Sequence, residues 1–377
     1  MDDGRTLPAA GGGQAPGGAN NMAPMRATRL ATLLACLAAL GAAAGGCGGG
    51  SDGETGDAAA ASRPAPPKSD FPSADGRTLG EVVKLADRPT ELVVSPAALA
   101  FTKGVNRYPF GVFTRDQKQV PDAEVALYFA KVPPAGGGGG PEGKGPKARA
   151  QKEALHQRAI GPFPARIESL ETKPAFRAKT TVDDPDAATV VYSAPIDFPS
   201  EGEWRIAALI KEGDQLGGTL LPSAVVGKFK RIPRPGDRAP RIHTPTPADA
   251  GGDASEITTR VPPDTQNRVD FADVLGRKPI ILLFATPQFC QSRVCGPVVD
   301  VAEQAKEESR GEAQFIHMEI FNDNDPNKGV RPQVRAYHLP TEPWLFAIDR
   351  RGIVRAAVEG AFGLELMRDA IRKAERG

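Results

Sequence analysis

The sequence has few cysteines and almost no net charge. It contains four cysteines in 377 residues, and its 47 basic and 46 acidic side chains leave a formal net charge of +1. A chain without a strong positive field has no general attraction for nucleic acid, so no nucleic-acid partner is expected. Glycine and proline are frequent instead, with 42 and 36 residues concentrated in linker-like stretches. The length suits two domains with tails.

A basic segment followed by an apolar run lies near the N-terminus. Residues 25–29 contain two arginines and no acidic residue, and the uncharged run over residues 30–44 is shorter than the roughly 20 residues that a membrane-spanning helix needs. This order is typical of a secretory signal peptide. The small residues before Cys47 resemble a bacterial lipobox, although Ala44 stands where that motif usually has leucine.

The lipobox resemblance implies a location. We expect residues 1–47 to be an N-terminal extension and lipoprotein signal peptide, cut before Cys47, whose sulfur then carries diacylglycerol. The protein would be anchored by lipid at the extracytoplasmic face of the cell membrane, where disulfides persist. An N-terminal membrane anchor that stays uncut is one alternative. Another is a lipobox at Leu33-Leu34-Ala35-Cys36, which fits the motif better but leaves a shorter apolar core. With Cys36 removed and Cys47 lipidated, only Cys290 and Cys295 remain.

The middle of the chain predicts a tether and a β domain. Residues 48–88 contain few large apolar side chains and are typical of a flexible tether. Short β-rich runs separated by turn residues over 89–232 indicate an all-β, immunoglobulin-like sandwich. An insertion at about 133–158, with five consecutive glycines at 136–140, is predicted to be a disordered loop. Nothing in this domain has catalytic spacing, so its role is open.

Residues 233–377 show a different pattern, with a core from about residue 268. Apolar strands alternate with amphipathic helices in the order βαβαββα, and the proline-rich connector before Asp264 predicts that the two domains fold separately. A wholly apolar strand over residues 280–284 leads to a turn with Cys290 and then a helix. Free backbone N–H groups and the positive end of that helix would favour a thiolate on the first sulfur.

This second domain resembles the thioredoxin fold over roughly residues 235–377. The resemblance is carried by a Gly-Asp-x-Ala-Pro motif at 236–240, by Phe284-Ala285-Thr286, which is similar to the strand end of TlpA-like proteins, and by Cys290 and Pro343. It implies an α/β thioredoxin-like domain that exchanges disulfides with protein thiols or disulfides outside the cytoplasm. It also implies that Pro343 is cis and receives an extended substrate backbone beside the cysteines. No cofactor is implied.

The cysteine pair departs from the thioredoxin pattern. Its spacing is C-x-x-x-x-C, and Cys295-Gly296-Pro297 reproduces the first three residues of a Cys-Gly-Pro-Cys motif. Distance from the strand favours Cys290 as the nucleophile, whereas this motif favours Cys295. A bridge between the two requires a partly non-helical segment, since Cα atoms more than about 7 Å apart cannot be joined. The first strand also lacks the buried acid that accepts a proton in thioredoxins.

Three other functions stay open. The pair is a structural disulfide if the domain is a non-catalytic binding module. Copper chaperones of the Sco type carry two cysteines on this turn and a distal histidine, for which the candidates are His317 and His338. A peroxiredoxin-type peroxidase shares the cysteine spacing, but Pro287 and Leu283 stand where that family has threonine and proline.

Overall fold

The computed structural model describes residues 61–135, 145–310 and 313–377. The predicted signal peptide, Cys47, the first part of the tether and the five-glycine run lie outside these ranges. The described residues all belong to one compact unit. No helix in these ranges is long and apolar enough to cross a membrane.

The described ranges are β-rich. The strands are β1 (Arg88–Pro89), β2 (Val93–Pro96), β3 (Gly104–Phe113), β4 (Glu124–Lys131), β5 (Ala159–Pro164), β6 (Arg166–Ser169), β7 (Val190–Phe198), β8 (Gly202–Glu212), β9 (Gln215–Val226), β10 (Ile280–Phe284), β11 (Gln314–Met318), β12 (Trp344–Ile348) and β13 (Val354–Glu359). The helices are α1 (Leu79–Val83), α2 (Pro146–Glu153), α3 (Lys179–Val182), α4 (Phe271–Val274), α5 (Cys295–Glu308), α6 (Pro332–Ala336) and α7 (Leu364–Arg376). Short 3-10 turns lie at Lys68–Asp70, Ala154–His156, Pro174–Phe176, Ala254–Glu256, Asn322–Asn324 and Pro326–Lys328.

Two sheets pack face to face in the N-terminal part. Their strand orders are β1-β9-β8-β4-β5 and β2-β3-β7-β6. Alternate side chains of β4, such as Leu127 and Phe129, meet Tyr108 and Phe110 of β3 in one apolar core. Because strand side chains alternate between faces, β3 and β7 turn their remaining residues outward, toward the C-terminal part of the chain.

Two predictions of disorder are wrong where the structure describes the chain. Residues 61–88, predicted as tether, contain α1, which begins with a capping box between Thr78 and Glu81 and buries Leu79 and Val82 against the outer face of β4. The second half of the predicted disordered insertion forms α2, whose Ala150 is buried. Composition predicts flexibility in both places because the apolar residues that order these segments are few and widely spaced.

The C-terminal part has a sheet of order β11-β10-β12-β13. β10 is parallel to β11 and antiparallel to β12, and the predicted order of strands and helices from Ile280 onward is present. α5 and α7 cover one face, and α4 and α6 lie on the other. The wholly apolar β10 follows from this arrangement, because a strand with helices on both faces is buried on both.

The two parts share a core. Leu170, Ala188 and Val191, from the N-terminal part, belong to the same apolar cluster as α5 and α7. The segment before β10, predicted as a connector, is deeply buried at Thr258 and Arg260. The proline-rich segment before β10 is therefore irregular but packed against the rest of the protein.

Candidate functional site

Cys290 and Cys295 form a disulfide at the carboxyl end of β10. Their Cα atoms are 5.9 Å apart. Residues 286–294 are not helical, and Arg293, with φ of 55°, lies in the left-handed region. The Arg293 N–H donates to the Cys290 carbonyl at 3.1 Å and closes the turn. The prediction that the bridged segment is non-helical is confirmed.

The two sulfurs have unequal surroundings. Cys290 is 9% exposed and Cys295 is 0% exposed. α5 begins at Cys295, so the positive end of the helix lies at the second cysteine, whose sulfur is bonded to that of Cys290. The positive end of this 14-residue helix therefore favours a thiolate on Cys295. In a thiol exchange, this makes Cys290 the accessible sulfur and Cys295 the better leaving group.

A cover segment, residues 170–189, packs over this turn and the start of α5. The Ala188 N–H donates to the Arg293 carbonyl at 3.1 Å. The Arg293 guanidinium forms ion pairs with Asp184, at 3.2 Å, and with Asp186. An arginine lowers the pKa of a thiol only if its side chain turns toward the sulfur. The Arg293 side chain is held by two carboxylates of the cover segment.

The cover segment also fixes the first two turns of α5. The Ala178 N–H donates to Asp300 Oδ2 at 3.1 Å, and Arg260 Nε donates to Asp300 Oδ1 at 2.9 Å. Arg260 further donates to the Phe176 carbonyl at 2.8 Å. Burial raises the pKa of Asp300, against the opposing effect of Arg260. This buried pair joins α5 to both the cover segment and the segment before β10.

Pro343 lies at the same edge of the sheet as the cysteine turn. The Glu342–Pro343 bond is cis, which confirms that prediction. Pro343 directly precedes β12, and Trp344 pairs with Phe284, the last residue of β10. Burial, together with the nearby Glu319 carboxylate, raises the pKa of Glu342.

A buried carboxylate reaches the cysteine turn from a neighbouring strand. Glu319, fully buried just after β11, accepts bonds from the Thr259 N–H at 2.9 Å and the Thr259 hydroxyl at 2.8 Å. The same hydroxyl accepts from the Gln288 N–H at 3.2 Å. Sequence reasoning looked for an acid in the first strand and missed Glu319. Its position directly after the β-rich run Phe315-Ile316-His317-Met318 is the available signal.

The two histidines proposed for copper do not meet at the cysteines. His317 is buried, its Nδ1 lies 2.8 Å from Asp264 Oδ2 and its Nε2 lies 3.1 Å from the Ala285 carbonyl oxygen. Burial opposes the charged form, but Asp264 outweighs it and raises the pKa of His317. His338 is exposed beside Arg335, in a separate cavity. Among the described residues, no three His, Cys, Asp or Glu side chains are placed to hold a metal ion.

Comparison with known proteins adds no family assignment. No protein-family model matches the chain, and no curated protein matches it. The geometry of the cysteine pair is therefore the basis for assigning a function.

Proposed function

We propose that this protein exchanges disulfides with other proteins through Cys290 and Cys295, carried by a thioredoxin-like domain over residues 233–377. The observation that carries the proposal is the asymmetry of the pair: a partly accessible Cys290 in a turn, and a buried Cys295 at a helix N-terminus. Pro343 directly precedes β12 at the same sheet edge, where the family resemblance expects the substrate backbone to bind.

The exchange follows from the positions of the two sulfurs. A partner thiolate attacks Cys290 Sγ, the Cys290–Cys295 bond breaks, and Cys295 leaves as a thiolate that then takes up a proton. A second thiolate of the partner then attacks the partner sulfur that is bonded to Cys290. This forms a disulfide within the partner and releases Cys290 as a thiolate. The partner has lost two electrons and gained a disulfide, and the pair is reduced. The reverse sequence reduces a partner disulfide.

We propose further that the protein works at the extracytoplasmic face of the membrane, held by a lipid on Cys47. The basic segment, the apolar run and the small residues before Cys47 support this location. Mass spectrometry of the membrane fraction tests it. A mature chain that starts at a modified Cys47 is expected, and a secreted chain with another first residue contradicts the proposal.

The reduction potential of the pair separates exchange from a structural role. Structural disulfides lie below roughly −300 mV, so we expect the potential of Cys290–Cys295 to lie well above this value in glutathione or dithiothreitol redox buffers. A pair that stays oxidised below that potential identifies the disulfide as structural and the domain as a non-catalytic binding module.

Trapping identifies the attacked sulfur. Cys295→Ser should retain a partner as a mixed disulfide on Cys290, because no internal thiol remains to release it. Cys290→Ser is the matched control and should retain none, since Cys295 is buried. The opposite result assigns the nucleophile to Cys295.

A further inference from the structure

The cover segment lies against the cysteine turn through Ala188 and against the start of α5 through Thr181. A β carbon added to Gly296 would come within 2.9 Å of Thr181 Oγ1, so these two segments are in close contact. The contact with Thr181 leaves no room for a side chain at position 296.

A cavity of about 410 Å³ lies beside the cysteine turn, lined by residues 291–294, by Asp186 and Ala188 of the cover segment and by the N-terminal sheet. Its wall includes Val93 of β2 and Phe113 of β3, which pair with each other, together with Val191 of β7. These residues alternate with Val94, Val112 and Tyr192, which belong to the sandwich core, so they face outward. The size lies within the roughly 300–1,000 Å³ usual for ligand pockets.

The cavity reaches the reactive sulfur through Ser292. This residue lines the cavity, and its Oγ lies 3.3 Å from Cys290 Sγ. β2 is the terminal strand of its sheet, so one of its backbone edges has no strand neighbour within the described ranges. Such an edge can pair with an extended polypeptide while its pockets take alternate side chains.

We propose that this cavity binds an apolar side chain next to the reactive cysteine of the partner polypeptide. The N-terminal sheet would then select which proteins exchange disulfides at Cys290. This inference rests on the function proposed above and assigns to the sheet a role in specificity. The occupant is an extended segment, because an edge strand and an apolar wall meet beside the sulfur.

Exchange with synthetic peptides tests the selection. The parent is the full chain with Cys36, Cys47 and Cys295 replaced by serine, so that Cys290 is its one thiol. The probes are two single-cysteine peptides activated with the same thionitrobenzoate leaving group, one flanked by leucine and valine and the other by serine and glycine. Because the leaving group is shared, the ratio of the two rates reports the flanking residues alone. We expect the apolar peptide to react about tenfold faster, the effect of one well-filled apolar pocket.

Ser95→Trp fills the cavity from an exposed position on β2 and should bring the ratio close to one. Val93 is 48% exposed, and Val93→Asn makes the cavity wall polar. This variant should also lower the ratio of the apolar-peptide rate to the polar-peptide rate. Val105→Trp is the matched control, because Val105 is 76% exposed on β3 and does not line the cavity. It should keep the ratio of the parent.

A ratio near one in the parent, or an unchanged ratio in both Ser95→Trp and Val93→Asn, overturns the inference. Reaction with the symmetrical thionitrobenzoate disulfide separates this failure from a failure of the proposed function. If Cys290 reacts with that small reagent but shows no preference between the peptides, only the inference is wrong. If Cys290 reacts neither with that reagent nor with the peptides, both proposals fail.

Discussion

At the residue scale, the Thr259 hydroxyl connects two groups that lie far apart in the sequence. It donates to Glu319 and accepts from the Gln288 N–H, two residues before Cys290. Glu319 receives a further bond, from the Ile320 N–H at 2.9 Å. A buried carboxylate with these donors is tolerated because each bond offsets part of the lost hydration.

Thr259→Val should destabilise the protein. The substitution keeps the shape but leaves the Gln288 N–H and one Glu319 oxygen without that partner, at a cost of about 1–3 kcal/mol. Urea denaturation measures the change. Thr286→Val is the matched control, because Thr286 is fully buried beside the same turn and its hydroxyl has no hydrogen-bond partner in the described part of the chain. Equal losses in the two variants would show that the hydrogen bonds of Thr259 contribute nothing.

The His317–Asp264 pair predicts a pH dependence. The Asp264 carboxylate raises the pKa of His317 in the folded protein, so the folded state binds more protons than the unfolded state between the two pKa values. Stability should therefore be greatest below about pH 6.5, the ordinary histidine value, and fall as the pH rises through the folded pKa. His317 also holds the pKa of Asp264 low, at about 2, so the contribution of Asp264 is lost only in strong acid.

Urea midpoints measured across neutral pH test this pair. His317→Gln should be less stable at acidic to neutral pH and should lose the fall in stability with rising pH. His243→Gln is the control, because His243 forms a similar 2.6 Å contact with Asp270 but is 79% exposed. A pH profile of His317→Gln parallel to that of the unmodified protein would refute the assignment.

At the element scale, the start of α5 depends on a residue without a side chain. Gly296 lets α3 and the start of the helix approach each other closely, with Thr181 Oγ1 at 2.9 Å from the position of an added β carbon. Cys295 is the first residue of that helix. The packing of the cover segment and the position of the buried sulfur are therefore linked.

Gly296→Ala should cost about 1–3 kcal/mol by overpacking, although alanine favours a helix over glycine. Thr181→Ala removes the colliding atom, so the double variant should be at least as stable as Thr181→Ala alone. Urea denaturation of the four proteins gives the coupling energy. Additive effects of the two substitutions would show that this contact is absent.

Sequence reasoning succeeded at this scale where the signal is local. The order of strands and helices from Ile280, the cysteine turn and the cis Pro343 all depend on short apolar runs and on residues close together in the chain. α1 was missed because its burial depends on strands far along the chain, and α2 because Gln151 forms hydrogen bonds with Glu203 of β8 and Ser223 of β9. Thr259 and the cover segment were missed for the same reason: Ala178 and Asp300 are 122 residues apart.

At the scale of the whole molecule, the two parts are joined by buried polar contacts. The Glu359 carboxylate accepts from the Leu99 and Ala100 N–H groups at 2.9 and 2.8 Å. Arg107 donates to the Ala361 carbonyl at 2.6 Å. These bonds lie beside an apolar cluster with members from both parts. The interface resembles the inside of one domain more than a contact between separate domains.

A fragment of residues 233–377 should therefore be less stable than the whole chain. It loses the apolar residues of the cover segment, and Glu359 and Asp300 lose the backbone N–H donors of Leu99, Ala100 and Ala178. We expect a lower urea midpoint and binding of an apolar dye. Residues 61–377, which keep both parts, serve as the matched control. A fragment that unfolds cooperatively at the midpoint of this control would show that the domains fold separately, as the proline-rich connector predicts.

The burial of Cys295 also determines how long a mixed disulfide on Cys290 survives. In a mixed disulfide on Cys290, the freed sulfur of Cys295 stays within a few ångströms, because α5 and the Arg293 contacts hold both ends of the short turn. A group held this way acts at a very high effective concentration, so return attack by Cys295 is fast. With most unsuitable partners, the Cys290–Cys295 disulfide would then form again before a second thiolate of the partner attacks. Covalent complexes of the unmodified protein would be too short-lived to isolate.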